Sequence, residues 1–176
     1  MKSVRLLVIA LGLALAQTHC GRPAEVRELA YSGAGGAFSV TYPDTWKPEK
    51  PRYPNEVFRV TEPPALPSLA VSVYEQSDPK IIDEQYGEKF IGSLKTLFPR
   101  ASAYKLVSSK LFTLADGTRA VELFCEWTWE DGATVLASAN VSAVKDQRLV
   151  SVTCTGMQAA PAVVLAKYPH TLTFGK

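Results

Sequence analysis

Histidine is scarce in this chain, with two in 176 residues, and cysteine is little commoner, with three. The first scarcity removes most imidazole-based hydrolysis and most zinc chemistry, which draw on clusters of such side chains. No CxxC pair, P-loop, GxGxxG, HExxH or GxSxG run occurs. Excess charge is also lacking: 19 Lys and Arg stand against 17 Asp and Glu. A chain this balanced has no general attraction for polyanions, so nucleic acid is not indicated as a partner. With 47% hydrophobic and 20% charged residues it is not of disordered composition, and its length fits one domain.

The longest apolar run is Leu6 to Ala16, preceded by Lys2 and Arg5. It is shorter than the roughly 20 residues of a spanning helix but fits the apolar segment of a secretory leader. The sequence predicts a signal peptide over 1–19, with an alternative cut after Ala16 at the Ala14-Leu15-Ala16 pattern that leaves Gln17 first. Cutting at 19 makes Cys20 the first residue and a candidate lipid attachment site; His19 and Gln17 depart from the usual lipobox. Either cut removes Lys2 and Arg5, leaving 17 basic residues against 17 acidic ones. A membrane is then expected as a partner only through a lipid on Cys20.

Residues 20–35 read as a tether and 36–176 as the folded domain. Phe38-Ser39-Val40-Thr41-Tyr42 alternates with period two and stops at Pro43, as a strand would. Seven of the twelve prolines lie from Pro43 to Pro67. Two more strands, Asn55–Thr61 and Ser68–Tyr74, sit within and after that stretch. The prolines stiffen connecting loops, and such loops offer a recognition surface.

Asp78-Pro79 is a helix start, a capping carboxylate followed by proline in the first turn. Ile82, Tyr86, Phe90, Leu94 and Leu97 or Phe98 continue as one apolar stripe to Pro99. Gly87 and Gly92 weaken this helix, so packing on a sheet must stabilise it. Four strands follow, Tyr104–Leu114, Thr118–Trp129, Ala133–Val144 and Arg148–Cys154. Asp116-Gly117, Asp131-Gly132 and Asp146-Gln147 separate them, which predicts an antiparallel meander. Ala159–Lys167 reads as a short helix and Thr171–Phe174 as an extended tail. The predicted class is α+β, an antiparallel sheet covered by helices, in the order β-β-β-α-β-β-β-β-α.

The chemistry-bearing residues are few. Cys125 and Cys154 fall on the second and fourth meander strands. Two strand spacings come to about 9–10 Å, beyond the roughly 7 Å Cα limit for a disulfide, so buried thiols are favoured over a bridge. Trp127 and Trp129 share a strand face with Val121, Leu123 and Cys125. That face is either core or a strand-end rim where indoles stack a ligand, with Glu130 and Asp131 nearby to orient it. Tyr53, in the proline-rich stretch, joins the two tryptophans as a candidate contact. Glu122, Glu126 and Glu130 are explained by a solvated strand face. An enzyme would need His170 in a cleft, within about 3 Å of a nucleophile or carboxylate; the expected place of His170 is an exposed tail.

Phe38-Ser39-Val40-Thr41-Tyr42-Pro43-Asp44-Thr45-Trp46 resembles the aromatic-x-Val-x-Tyr-Pro-x-x-Trp opening of PsbP-like domains. The downstream order over about residues 36–174 is similar too. The short bacterial-type leader makes the chain similar to DcrB-type envelope lipoproteins rather than to plastid members of the family. The resemblance implies a sheet sandwiched by helices, acting as a non-enzymatic binding or assembly module with no shared catalytic residues and no cofactor. The expectation is an exported protein of a bacterial envelope, in the periplasm or membrane-anchored, that engages an envelope protein. The alternative is a periplasmic small-ligand domain working at the Trp127/Trp129 end of the sheet.

Overall fold

A computed structural model describes residues 26–175. The proposed leader, Gln17, Cys20 and the first part of the tether lie outside those residues. The strands are β1 (Glu28–Gly33), β2 (Phe38–Pro43), β3 (Lys47–Pro48), β4 (Glu56–Thr61), β5 (Ser68–Tyr74), β6 (Ser102–Thr113), β7 (Arg119–Thr128), β8 (Val135–Lys145), β9 (Arg148–Met157) and β10 (Thr173–Phe174). Helix α1 spans Tyr86–Leu97 and α2 spans Ala162–Ala166. Seven strands form one antiparallel sheet in the order β3-β4-β5-β9-β8-β7-β6, and β1-β2-β10 form a small second sheet. The predicted α+β class and the sheet covered by helices are both present.

Several boundaries differ from the sequence reading. The predicted tether includes a strand, because Glu28–Gly33 pairs along the whole of β2. Most of its residues are exposed, so alternation is faint; pairing with β2 and the stacking of Tyr31 on Phe58 at 4.1 Å hold it. Gly33 is opposite Phe38, and a Cβ there would run into the Phe38 ring. The helix predicted from Pro79 is broken in two. Asp78 caps the Lys80 N–H at 2.8 Å, but only a one-turn 3-10 helix follows, over Pro79–Ile81. Asp83 then turns the chain by accepting from the Gln85 N–H at 2.9 Å, and α1 begins at Tyr86.

The large sheet has two unlike faces. On one, Val60, Leu69, Val71, Ala139, Val141, Val150, Val152 and Cys154 form the main core with Phe38, Val40, Trp46, Leu165, Tyr168 and Leu172. The small sheet and α2 cover this side; full burial of each Val or Leu contributes about 1.5–3 kcal/mol. On the other face, Val121, Leu123, Cys125 and Trp127 of β7 are apolar. Beyond Leu136, opposite Trp127, their neighbours on β8, β9 and β5 are mostly small polar residues. Ser142, Ser151 and Ser72 lie in one cross-strand row, Asn140, Thr153 and Ala70 in the next, and Ser138, Thr155 and Ser68 in a third.

This asymmetry determines where α1 rests. The crossover from β5 to β6 carries the helix over the sheet, where its apolar stripe finds a matching surface on β6 and β7. Ile91 and Leu94 pack there on Cys125, Trp127 and Leu136. The hydroxyl rows on β5 and β9 offer that stripe nothing, so this half of the face stays uncovered by the helix.

Candidate functional site

The uncovered half is the floor of a cleft of about 440 Å³. One wall is the C-terminal part of α1 with Phe98; the other is the proline-rich loop carrying Glu49, Arg52 and Tyr53. Trp129 and Trp127 border the end at β7. Tyr53, Trp127 and Trp129, far apart in sequence, therefore meet at one cavity.

Phe98 is the hub of that meeting. Its ring stands edge-on to Tyr53 at 5.9 Å and 88°, and to Trp129 at 5.6 Å and 61°. It stacks on Trp127 at 6.4 Å and 18°, and Tyr104 stacks on Trp127 at 6.5 Å. The two indoles have different roles. Trp127 is 3% exposed, and its Nε1 is buried with no acceptor among the described residues. It is a core residue whose ring edge reaches the cavity. Trp129 is half-buried at the end of the strand, with its backbone N–H held by the Thr134 carbonyl at 2.7 Å. It is the rim aromatic. Burial also raises the Tyr53 hydroxyl pKa above its ordinary value.

The floor is made by β5 and β9; Ser138, Asn140 and Ser142 of β8 are fully buried beside it and hydrogen-bond its β9 residues without saturating them. Asn140 Nδ2 donates to Ser151 Oγ and to Thr153 Oγ1, each at 2.8 Å. Ser142 Oγ lies 2.8 Å from Asn140 Oδ1 and 3.0 Å from Ser151 Oγ, with one proton to share between them. Ser138 and Thr155 pair hydroxyl to hydroxyl. Thr153 uses its oxygen as acceptor, so its own proton is left for something else, and Ser72 makes no side-chain hydrogen bond among the described residues. Further back, burial pushes the Tyr86 hydroxyl up to about 12.

Charge enters the cleft only in pairs. Arg59 donates from Nε and Nη2 to the Glu56 carboxylate at 2.6 and 2.8 Å, and both residues are buried. Arg52 Nη2 donates to Glu49 Oε2 at 2.7 Å on the rim, a bond that holds the Glu49 carboxyl below its ordinary range. The four formal charges cancel.

Neither Cys125 nor Cys154 is in a disulfide. They lie on opposite faces of the sheet, Cys125 in the cluster under α1 and Cys154 in the main core. His170 does have a carboxylate partner, Glu122 Oε1 at 2.7 Å from Nε2, beside a second, mainly apolar cavity of about 600 Å³ between α2 and β7. Both side chains face water, at 40% and 30% exposure. Among the described residues no hydroxyl or thiol hydrogen-bonds to that imidazole. No group of three or more His, Cys, Asp or Glu side chains among the described residues is arranged for a metal ion. Among them, too, no helix is long and apolar enough to cross a membrane.

The Ser/Thr/Asn face, whose β5 and β9 members floor the cleft, was not anticipated from sequence, although its signal is there. Ser68, Ala70 and Ser72, then Ser138, Asn140 and Ser142, then Ser151, Thr153 and Thr155 alternate strictly with apolar residues. Three strands with small polar residues on one face predict a sheet surface that no apolar helix covers.

No family model matches this chain, and no curated protein matches it in sequence. Solved structures do. Cyanobacterial PsbP from Synechocystis superposes with a TM-score of 0.71 at 12% identity, over 89% of this chain and 97% of that one. The Ran-binding protein MOG1P of Saccharomyces cerevisiae gives 0.54 at 11% identity, over 81% and 83%. At such identities the likeness is one of fold, and the chain has the architecture of the PsbP-like domains: an antiparallel sheet between helices.

Proposed function

We propose that the protein is a non-enzymatic, exported binding protein of a bacterial envelope, with the cleft between α1 and the proline-rich loop as its binding site. A signal peptide ending at residue 19 or 16 delivers it, and Cys20 is the candidate lipid anchor if the cut is at 19. The observation that carries the reading is the convergence of Tyr53, Trp127 and Trp129 on one open cavity floored by unsaturated hydroxyls. Sites for small molecules are concave, largely apolar and supplied with a few polar groups, and this cleft has all three properties. Small molecules released on denaturing the protein purified from its own host are expected for the wild type. They are expected to be absent from Ala70→Phe, which fills the floor. An unchanged set in a folded Ala70→Phe protein would sink the reading.

A second reading is a protein partner captured by the loop between β4 and β5. Glu62, Pro63, Pro64 and Ala65 are exposed at its tip, and the yeast protein of similar fold is a Ran-binding protein. Replacing those four tip residues should then abolish capture of an envelope protein without lowering the melting temperature.

A further inference from the structure

We propose that the ligand of the cleft is a neutral saccharide, one or two sugar rings, lying against Trp129 and hydrogen-bonded to the floor. The inference rests on the cleft being the binding site and adds the chemistry of what binds there.

The lining decides among ligand classes. A fatty acyl chain wants apolar walls all round, yet here the floor is made of hydroxyl rows whose desolvation against methylene groups goes uncompensated. An anion wants surplus positive charge, and Arg59 and Arg52 are each engaged by a carboxylate. A cation is opposed in the same way, since each of those carboxylates already has its guanidinium. What remains is an uncharged molecule with donors and acceptors on one side and apolar surface on the other. Sugar rings have that division, with C–H groups on a face and hydroxyls around the edge. The weakly positive C–H face meets the negative face of an aromatic ring. Trp129 and Tyr53 supply such rings at the rim, while Ser72 and Thr153 offer free hydroxyl protons from below. A hydroxyl both donates and accepts, so a hydroxyl floor complements a polyol without requiring one fixed arrangement. The cavity volume of about 440 Å³ lies within the roughly 300–1,000 Å³ range of small-molecule sites.

The test is calorimetric titration of the purified protein with maltose, cellobiose and diacetylchitobiose. Indole-3-acetate serves as an aromatic anion and decanoate as an acyl chain. Saturable binding of at least one of the three saccharides is expected. Trp129→Ala should weaken it about tenfold, and Ser72→Ala severalfold. Ser72 has no partner to strand, so this variant should keep the wild-type melting curve and tests the site even if the tryptophan variant misfolds. Binding of indole-3-acetate or decanoate alone, abolished by Ala70→Phe, overturns the saccharide and leaves the cleft as the site. Saccharide binding that survives Ala70→Phe overturns both. Absence of binding by all three saccharides overturns the proposal.

Discussion

Arg59 and Glu56 are joined side by side at the back of the cleft, Nε to Oε1 at 2.6 Å and Nη2 to Oε2 at 2.8 Å. Their side chains are only 10% and 1% exposed. Three residues apart on a strand, they would point to opposite faces; the irregularity in the β4–β5 register between Glu56 and Phe58 brings them to one side. Removing one partner leaves a buried charge with no counter-ion. Glu56→Ala is therefore expected to cost about 3–5 kcal/mol, whereas the double change Glu56→Leu with Arg59→Met should cost far less. Urea unfolding of the two variants measures the difference. Equal losses would mean that packing, not the pairing, matters here.

Two glycines of α1 should respond in opposite directions. At Gly87 a Cβ would come within 2.7 Å of Leu106 Cδ2 and 3.4 Å of Leu123 Cδ2, so the glycine lets the helix sit close on β6 and β7. Gly92 is exposed with nothing within 4 Å of its Cβ position. Gly92→Ala should stabilise by about 0.5–1 kcal/mol through helix propensity. Gly87→Val should destabilise by about 1–3 kcal/mol through overpacking. Thermal melts of both variants decide it, and a stabilising Gly87→Val would show that α1 does not need the close approach.

The four meander strands were legible because Asp-Gly and Asp-Gln turns punctuate long alternating runs. Gly117, Gly132, Asp146 and Gln147 do adopt positive φ. β1 was not legible: the apolar alternation in Glu28–Gly33 is only Leu29 and Tyr31, too short to read, and its pairing with β2 and the Tyr31–Phe58 stack define it. The one-helix reading of 79–98 failed at Asp83, whose side chain competes for a backbone N–H and ends one turn before the next begins. At the site, the aromatic members could be named from sequence because large rings are conspicuous. What brings them together could not: Tyr53 reaches Phe98 only because the loop before β4 folds back beside α1, a contact set by strand order β4-β5-β9-β8-β7. The floor needed a comparison of alternation among three strands, since each small polar residue alone looks like an ordinary outward position.

Burial makes the two core thiols inert. It pushes both Cys125 and Cys154 up to about 12, from 9.0, because the thiolate has no compensating cation. Neither should react with a thiol reagent in the folded protein near neutral pH, and both should react in denaturant. A Cys20→Ser background removes the third cysteine from the count. Because the pair lies on opposite sheet faces, mild oxidant should leave the folded protein two mass units heavier than its disulfide form. Rapid labelling of either thiol in the native state, or an intramolecular bridge by non-reducing peptide mapping, would contradict this arrangement.

The turn between β6 and β7 is tied to β8 by a bond with a measurable pH signature. Lys145 Nζ donates to Asp116 Oδ2 at 2.8 Å, and chiefly this bond holds the Asp116 carboxyl at about 2, below its ordinary 3.8. A carboxylate whose folded value is depressed adds stability above its unfolded value and loses that gain as the pH falls through the folded one. The contribution is therefore complete above pH 4 or so and fades toward pH 2. With the two side chains 31% and 23% exposed, solvent screening limits it to about 1 kcal/mol or less. Asp116→Asn keeps the Oδ1 acceptor for the Thr118 N–H, accepted at 3.1 Å, and removes the charge together with the Oδ2 acceptor used by Lys145 and the Thr118 hydroxyl. Its urea midpoint should fall below that of the wild type at pH 7, and the gap should narrow steadily between pH 4 and pH 2. A gap of constant size across that window would mean that the loss comes from turn geometry and not from the ion pair.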